Sequence, residues 1–205
     1  MSRSPIGEFP AYGLDPDTRG DRFAAAVTYF RQLLTSGPPS IDSPLGAVHG
    51  ADFLPKPGAG RIPLIVTGSS RQTPDWLAEH ADGWLTYPRA THTPEGPRQL
   101  AAAIANWRKL IPDAGFRPHM TNEWLDLVED ANFPRTPLNG GFTLKTGRKG
   151  LIDLLGEWQE AGVNHAALGM QFSQRPAADV IRELAEEVLP LFPSLEGVPP
   201  ITSRW

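Results

Sequence analysis

Residues 61–88 read Arg61-Ile-Pro-Leu-Ile-Val-Thr-Gly-Ser-Ser-Arg-Gln-Thr-Pro-Asp-Trp-Leu-Ala-Glu-His-Ala-Asp-Gly-Trp-Leu-Thr-Tyr-Pro88. The apolar run 62–66 is rich in β-branched residues and is stopped by the polar turn Thr67-Gly68-Ser69-Ser70. A run apolar on both faces suits a strand covered on both sides, as in a parallel sheet. Thr73-Pro74-Asp75 then supplies an N-cap, a proline at the first helical position and an acid in the first turn. The spacing predicts a helix over 74–80 that ends near Gly83, with a second strand over 84–87. Strand, short polar loop, helix and strand make a βαβ unit. Its loop sets hydroxyls and backbone N–H groups at a helix N-terminus, where an anion such as phosphate is favoured. The same small polar residues also cap helices that bind nothing, so anion binding and plain capping both stand at this point.

The chain has 205 residues, 40% of them hydrophobic, enough for one domain with a core. With a net charge of −4 and no basic block, nucleic acid and anionic membrane surfaces are poor partners. There is no cysteine, which removes disulfides, thiolate nucleophiles and Cys-ligated zinc and fits a cytoplasmic protein. No apolar run approaches the ~20 residues that span a bilayer, and the start, Met1-Ser-Arg-Ser-Pro-Ile-Gly7, lacks the apolar core of a signal peptide.

Working outward, residues 1–21 read as irregular. Phe23, Ala26, Val27, Phe30, Leu33 and Leu34 fall at helical spacing and predict an amphipathic helix over 22–34. Residues 40–60 read as a long loop. Downstream, Leu100, Ala103, Ile104, Trp107 and Ile111 predict a helix over 97–110, followed by a strand over 117–128. Residues 131–147 read as a second long loop. Leu151, Leu154, Leu155 and Trp158 predict a helix over 149–161, with Gly162 as its C′ residue. A fourth strand over 165–170 and a final helix over 176–191 follow, and residues 193–205 read as a loosely held tail. The expectation is a leading helix and four strand–helix units, a parallel α/β fold. A closed eight-stranded barrel of this kind has twice as many units and typically ~250 residues.

Several stretches together resemble a known family. Arg61 to Gln72 and Ala78-Glu-His-Ala-Asp-Gly-Trp-Leu-Thr-Tyr-Pro-Arg89 carry the resemblance, with Glu8-Phe-Pro-Ala-Tyr-Gly13, Arg19-Gly-Asp-Arg-Phe23 and Ile41-Asp-Ser-Pro-Leu-Gly46. Gly162-Val-Asn-His-Ala-Ala-Leu168, Phe172-Ser-Gln-Arg-Pro176 and Glu186-Glu-Val-Leu-Pro-Leu-Phe-Pro193 complete the set. The chain resembles the bacterial luciferase-like flavin-dependent oxidoreductases and monooxygenases, in particular a luciferase-type oxidoreductase subgroup. The resemblance implies a (β/α)8 TIM-barrel fold, of which these residues form the C-terminal half, as one N-terminally truncated domain over 1–205. It also implies reduced FMN, or a deazaflavin in some branches, at the C-terminal mouth of the barrel, acting on an unknown small organic substrate. The loop after the fifth barrel strand contacts the flavin phosphate in such proteins. In this chain it is Gly68, Ser69, Ser70, Arg71, Gln72 and Thr73. Thr86 and Tyr87 would lie near the same mouth.

The counterpart of the first four barrel strands is not in these residues, and with it much of the family's flavin-ring and substrate surface. These residues would then be a truncated product, a chain with a wrongly assigned start, or a half that joins a homo-oligomer or a complementing half-barrel chain; expressed alone, their open strand edges and uncovered apolar face would favour association. The other candidates are weak. His80 reads as solvent-facing or capping, and His165 as a core or packing residue. His49 and Asp52 lack metal-ligand spacing, and no metal site is expected. Glu123 and Asp126 read as charges near a strand end. Ser69 and Ser70 lack a nucleophile elbow. No catalytic residue is assigned. A flavin-dependent oxidoreductase and a catalytically inactive half-barrel, binding flavin phosphate or serving association alone, are the two readings that remain.

Overall fold

A computed structural model of the chain describes residues 8–35, 37–58, 60–88, 90–111 and 115–194. The first elements are α1 (Glu8–Ala11), a 3-10 turn Pro16–Thr18 and α2 (Arg19–Leu33). Two short strands, β1 (Ile41–Ser43) and β2 (Gly46–Val48), follow. Next come β3 (Ile65–Thr67), α3 (Pro74–His80), β4 (Gly83–Thr86), α4 (Glu95–Leu110) and β5 (His119–Leu127). The chain continues through β6 (Thr136–Leu138), β7 (Thr143–Thr146), α5 (Arg148–Ala161), β8 (His165–Gly169) and α6 (Ala177–Glu183).

The four strands expected from the pattern form one curled parallel sheet. β3 pairs with β4 (Ile65 opposite Gly83) and β4 with β5 (Trp84 opposite His119). β5 in turn pairs with β8 (Met120 opposite His165). With helices between successive strands this is part of a (β/α)8 barrel. β5 is its central strand: Met120 and Thr121 are paired with β4 on one flank and β8 on the other. Its far end, Leu125–Leu127, carries β7 in parallel. Among the described residues β3 and β8 each have one neighbour.

Alternation along β5 shows which face is covered. His119, Thr121, Glu123, Leu125 and Leu127 are buried, whereas Met120, Asn122 and Trp124 are half-buried. Leu125 and Leu127 pack with Leu151 of α5 and with Val180, Leu184 and Val188 near the C-terminus. Val66 packs with Leu77 and Ala78 of α3 and Trp107 of α4. Leu100 and Ile104 of α4 meet Leu144 of β7 and Leu154 and Trp158 of α5. The core is therefore the layer between sheet and helices. The opposite, concave face would be filled by side chains from every strand of a closed barrel, and here it stays partly exposed.

Several boundaries depart from the sequence reading for identifiable reasons. β3 begins at Ile65 rather than 62 because Pro63 has no N–H for a ladder; the Asp82 carboxylate fixes its approach by accepting from Leu64 N–H (2.8 Å) and Arg61 Nη1 (2.9 Å). The loop expected over 40–60 contains the antiparallel hairpin β1–β2. Its strands are three residues each, too short for a period-two signal, and are closed by contacts of His49 to Ser40 (3.0 Å) and Asp42 (3.1 Å). The loop over 131–147 likewise holds the antiparallel pair β6–β7, with Pro137 tolerated because β6 has β7 on one side only. The final helix is regular only to Glu183; a π turn, Leu184–Val188, and a 3-10 turn, Leu189–Leu191, continue it around Pro190. Within 1–21 the structure places α1 and the start of α2. Gly162 ends α5 in the left-handed conformation, φ 93°. The tail expected over 193–205 falls, beyond 194, outside the described residues.

No helix among the described residues is long and apolar enough to cross a membrane.

Candidate functional site

The six loop residues form one turn between β3 and α3. Gly68 (φ 61°), Ser70 (φ 47°) and Arg71 (φ 60°) all take left-handed backbone, which costs the non-glycine residues free energy and is held only where surroundings impose it. The surroundings do so. Gly68 N–H donates to Leu85 O (2.7 Å), while Gly68 O accepts from the Trp84 indole N–H (2.8 Å). Ser70 Oγ donates to Thr67 O (3.1 Å), Gln72 N–H to Ser69 O (2.7 Å), and Arg71 N–H to Ser69 Oγ (3.3 Å). Gln72 Nε2 reaches across to Gly20 O in α2 (2.8 Å), so Gln72 braces the loop rather than facing solvent. Thr73 caps α3 by accepting from Trp76 N–H (3.2 Å). Ser69, Arg71 and Thr73 are exposed, and Arg71 makes no ion pair among the described residues. A rigid turn with an unpaired guanidinium and two hydroxyls at its surface can accept an anion.

Thr86 and Tyr87 part company. Thr86 turns to the helix side, where its Oγ1 lies 3.1 Å from His119 Nε2 and its carbonyl accepts from Thr121 Oγ1 (2.9 Å). Tyr87 stays half-buried, its ring 6.5 Å from that of Trp124 at an interplanar angle of 9°. Trp124 stacks on Phe142, centroids 4.4 Å apart, and Phe142 meets Phe172 edge-on at 5.7 Å. These rings come from the end of β4, from β5, from the β6–β7 connection and from the segment after β8. They meet at the carboxyl ends of the parallel strands, the end from which the loop 68–73 also leaves the sheet. Nothing local links four aromatic residues spread over 86 positions, and only the tertiary fold assembles them.

Two buried titratable groups also escaped the sequence. Glu123, 1% exposed, accepts from Thr91 Oγ1 and from Trp124 N–H (2.9 Å). Burial raises its carboxyl to about 7, against these two hydrogen bonds, which both lower it. Arg135 holds the other side of Thr91 through its carbonyl (3.1 Å) and pairs with Glu157 in two contacts of 2.8 and 2.7 Å. His119, fully buried, is lowered to about 4, first by burial and then by Arg108; its Nδ1 has no hydrogen-bond partner among the described residues. Asp126, buried as well, accepts from Gln174 N–H (3.0 Å) and so anchors the segment bearing Phe172.

The remaining histidines hold no site. His80 is half-buried against Trp76 (4.6 Å), with burial lowering its pKa. His165 is exposed at the start of β8, not packed in a core, because β8 lies at the rim of the sheet. Among the described residues no three His, Cys, Asp or Glu converge as metal ligands.

The sheet and this site at its carboxyl end define a parallel α/β protein of the (β/α)8 type. The chain belongs to the luciferase-like monooxygenase family, which matches residues 4–120. No curated protein matches it. Among solved structures it is similar to monooxygenase RslO1 from Streptomyces bottropensis (17% identity, TM-score 0.71, covering 91% of this chain and 66% of that one). An F420-dependent secondary alcohol dehydrogenase in complex with an F420-acetone adduct is similar to a comparable degree (17%, TM-score 0.66, 90% and 66%). So is the coenzyme F420 dependent tetrahydromethanopterin reductase from Methanopyrus kandleri (14%, TM-score 0.62, 83% and 64%). At these identities the likeness is one of fold. The chain spans about two thirds of the length of these structures.

Proposed function

We propose that the chain is the phosphate-binding side of a flavin-dependent oxidoreductase or monooxygenase that uses reduced FMN, or alternatively a deazaflavin, on a small organic substrate. The observation that carries this reading is the braced left-handed turn 68–73, with Arg71 exposed and without a carboxylate partner among the described residues. Membership of the family and the F420-dependent enzymes among its structural neighbours support a flavin-type cofactor. Arg71, Ser69 and Thr73 would hold the phosphate, while Gln72 and Gly68 keep the turn in shape through Gly20 and Leu85. The bound flavin would supply the redox chemistry; this chain's residues bind it, orient it and limit the water that reaches it.

A second reading has its own observation. The parallel sheet has four βα strands where a closed barrel has eight, and β3 and β8 each pair on one side among the described residues. On that basis the chain would bind flavin phosphate, or associate with a complementing chain or a second copy, without turnover.

Titrating the purified chain with FMN and with riboflavin, which lacks the phosphate, tests the first step of both readings. FMN fluorescence should quench saturably. Arg71→Ala should weaken FMN by about tenfold, the loss of one charge-assisted contact, and leave riboflavin unaffected. Equal affinities for FMN and riboflavin in the wild type would rule out a phosphate site in this turn.

A further inference from the structure

We propose that the C-terminal helix carries an interface for a second copy of this chain, along the exposed apolar stripe Ala177, Ile181, Ala185 and Leu189, with Arg182 and Glu186 setting its register. The inference rests on the association reading above and deepens it by naming the occupant and the surface. Residues four apart share one face of a helix. Through α6 and the π turn that follows it, Val180, Leu184 and Val188 are buried and join the core. One position further on, Ala177, Ile181, Ala185 and Leu189 repeat the same spacing in exposed positions. Ile181 is 53% and Leu189 57% exposed. A surface helix of a globular domain has one apolar stripe, which faces its own core. This helix has two side by side, and among the described residues only one is covered. Single apolar residues on a surface need no explanation, but a line of them next to the core stripe marks a contact surface.

Size and charge along the stripe say what fits it. An isologous contact sets two copies of the helix antiparallel about a two-fold axis. With that axis beside Leu184, the two Ala185 residues meet near it, where small side chains let the backbones approach. Ile181 of each copy then falls between the levels of Ala185 and Leu189 of the other, a ridge into a gap. The same setting brings Arg182 of each copy level with Glu186 of the other, one position round the helix from the stripe. Both charges are available for this. Glu186 is exposed and makes no ion pair among the described residues, and Arg182 holds the exposed Asp179 at 3.3 Å. The acids Glu183 and Glu187 are instead drawn to Arg148 and Arg175 of the chain itself. A foreign helix would have to match the order of sizes and the order of charges together, whereas a second copy matches both by symmetry. Stable interfaces bury about 1,200–2,000 Å²; one pair of short helices buries less, so the dimer is weak and reversible.

Sedimentation equilibrium of the whole chain from about 5 to about 500 μM, the range that brackets a weak dimer, tests this. The average mass should rise with concentration from 22.4 kDa toward twice that value. Ile181→Glu, at an exposed position that leaves the core intact, should weaken association by about tenfold or more. Arg182→Glu sets acid against acid at both ends of the seam and should weaken it about tenfold, as should Glu186→Arg. The double exchange, Arg182→Glu with Glu186→Arg, should restore wild-type association, which a merely local effect on the helix would not do. A wild type that stays monomeric throughout, unchanged association in Ile181→Glu, or a double exchange as weak as the single ones would each overturn the proposal. The first result would leave the stripe to a different chain, and the second would give association to the open edges of β3 and β8. None of these variants touches the turn 68–73, so the FMN and riboflavin titration succeeds or fails separately.

Discussion

Replacing Trp158 with alanine is expected to cost the folded chain about 3–5 kcal/mol, the range for deleting a buried aromatic side chain. Trp158 is buried where α4, α5 and β7 meet, in contact with Leu100, Ile104, Leu144 and Leu154. It joins a helix on one side of β5 in sequence to a helix and strand on the other, so no single element can relax to fill the hole. Domains of ordinary stability hold about 5–15 kcal/mol in total, and a large part of the margin would be gone. Urea unfolding followed by circular dichroism reads the loss directly. Trp158→Phe should lose less than half as much. A loss under about 1 kcal/mol for Trp158→Ala would mean that α4 and α5 do not pack in solution as described.

The second large effect is a pair of opposed pH dependences hidden in one strand. The Glu123 carboxyl keeps its proton up to about pH 7, whereas a solvated glutamate loses it near 4.3. Between those values the folded chain binds more protons than the unfolded chain, so this group's contribution falls as pH rises. His119 does the reverse. Its ring stays neutral down to about pH 4, whereas a solvated histidine protonates below about 6.5. There the unfolded chain binds more protons, and stability falls as pH drops. At about 1.4 kcal/mol for each tenfold change in proton affinity, each gap is worth roughly 3 kcal/mol.

Over about pH 4.5 to 6.5 the two slopes cancel in the wild type. Glu123→Gln, whose amide can still accept from Trp124 N–H and donate to Thr91, should expose the His119 slope and be more stable than wild type at pH 8. His119→Gln should expose the opposite slope. Urea midpoints at intervals from about pH 4 to about pH 8 decide it. A Glu123→Gln profile parallel to the wild type would show that Glu123 is ionised in the folded chain. Arg135, which donates to the Thr91 carbonyl, is paired with Glu157.

What could be read from the residues, and what could not, divides by range. The run 62–66, the Thr73-Pro74-Asp75 start and Gly162 are local signals, and the α3, α4 and α5 helices and all four parallel strands fall where such signals lie, within a few residues. The family resemblance supplied the barrel. The hairpins β1–β2 and β6–β7 were illegible because three- and four-residue strands with Pro137 among them carry no pattern. Glu123 and His119 were illegible for another reason. A polar residue alternating along a strand reads as solvent-facing, and only the loop bearing Thr91 and the helix α4 bury that face. Composition pointed to the polar turn 67–70 and the Thr73 cap, and the resemblance to the loop 68–73, but that Gln72 braces it through Gly20, 52 residues earlier, is a tertiary fact.

β5 carries a further consequence for anyone wishing to alter the protein. Its odd positions are committed to the helix layer, Trp124 to the ring stack and Gly169 opposite, and its two flanks to β4, β8 and β7. Nine residues answer to nearly every neighbour at once, so a change there is judged by several constraints and few substitutions satisfy them all. β6 answers only to β7 among the described residues, although β7 itself carries Leu144 into the core. β6 already tolerates Pro137, so it is where the chain can be altered without disturbing the parallel sheet.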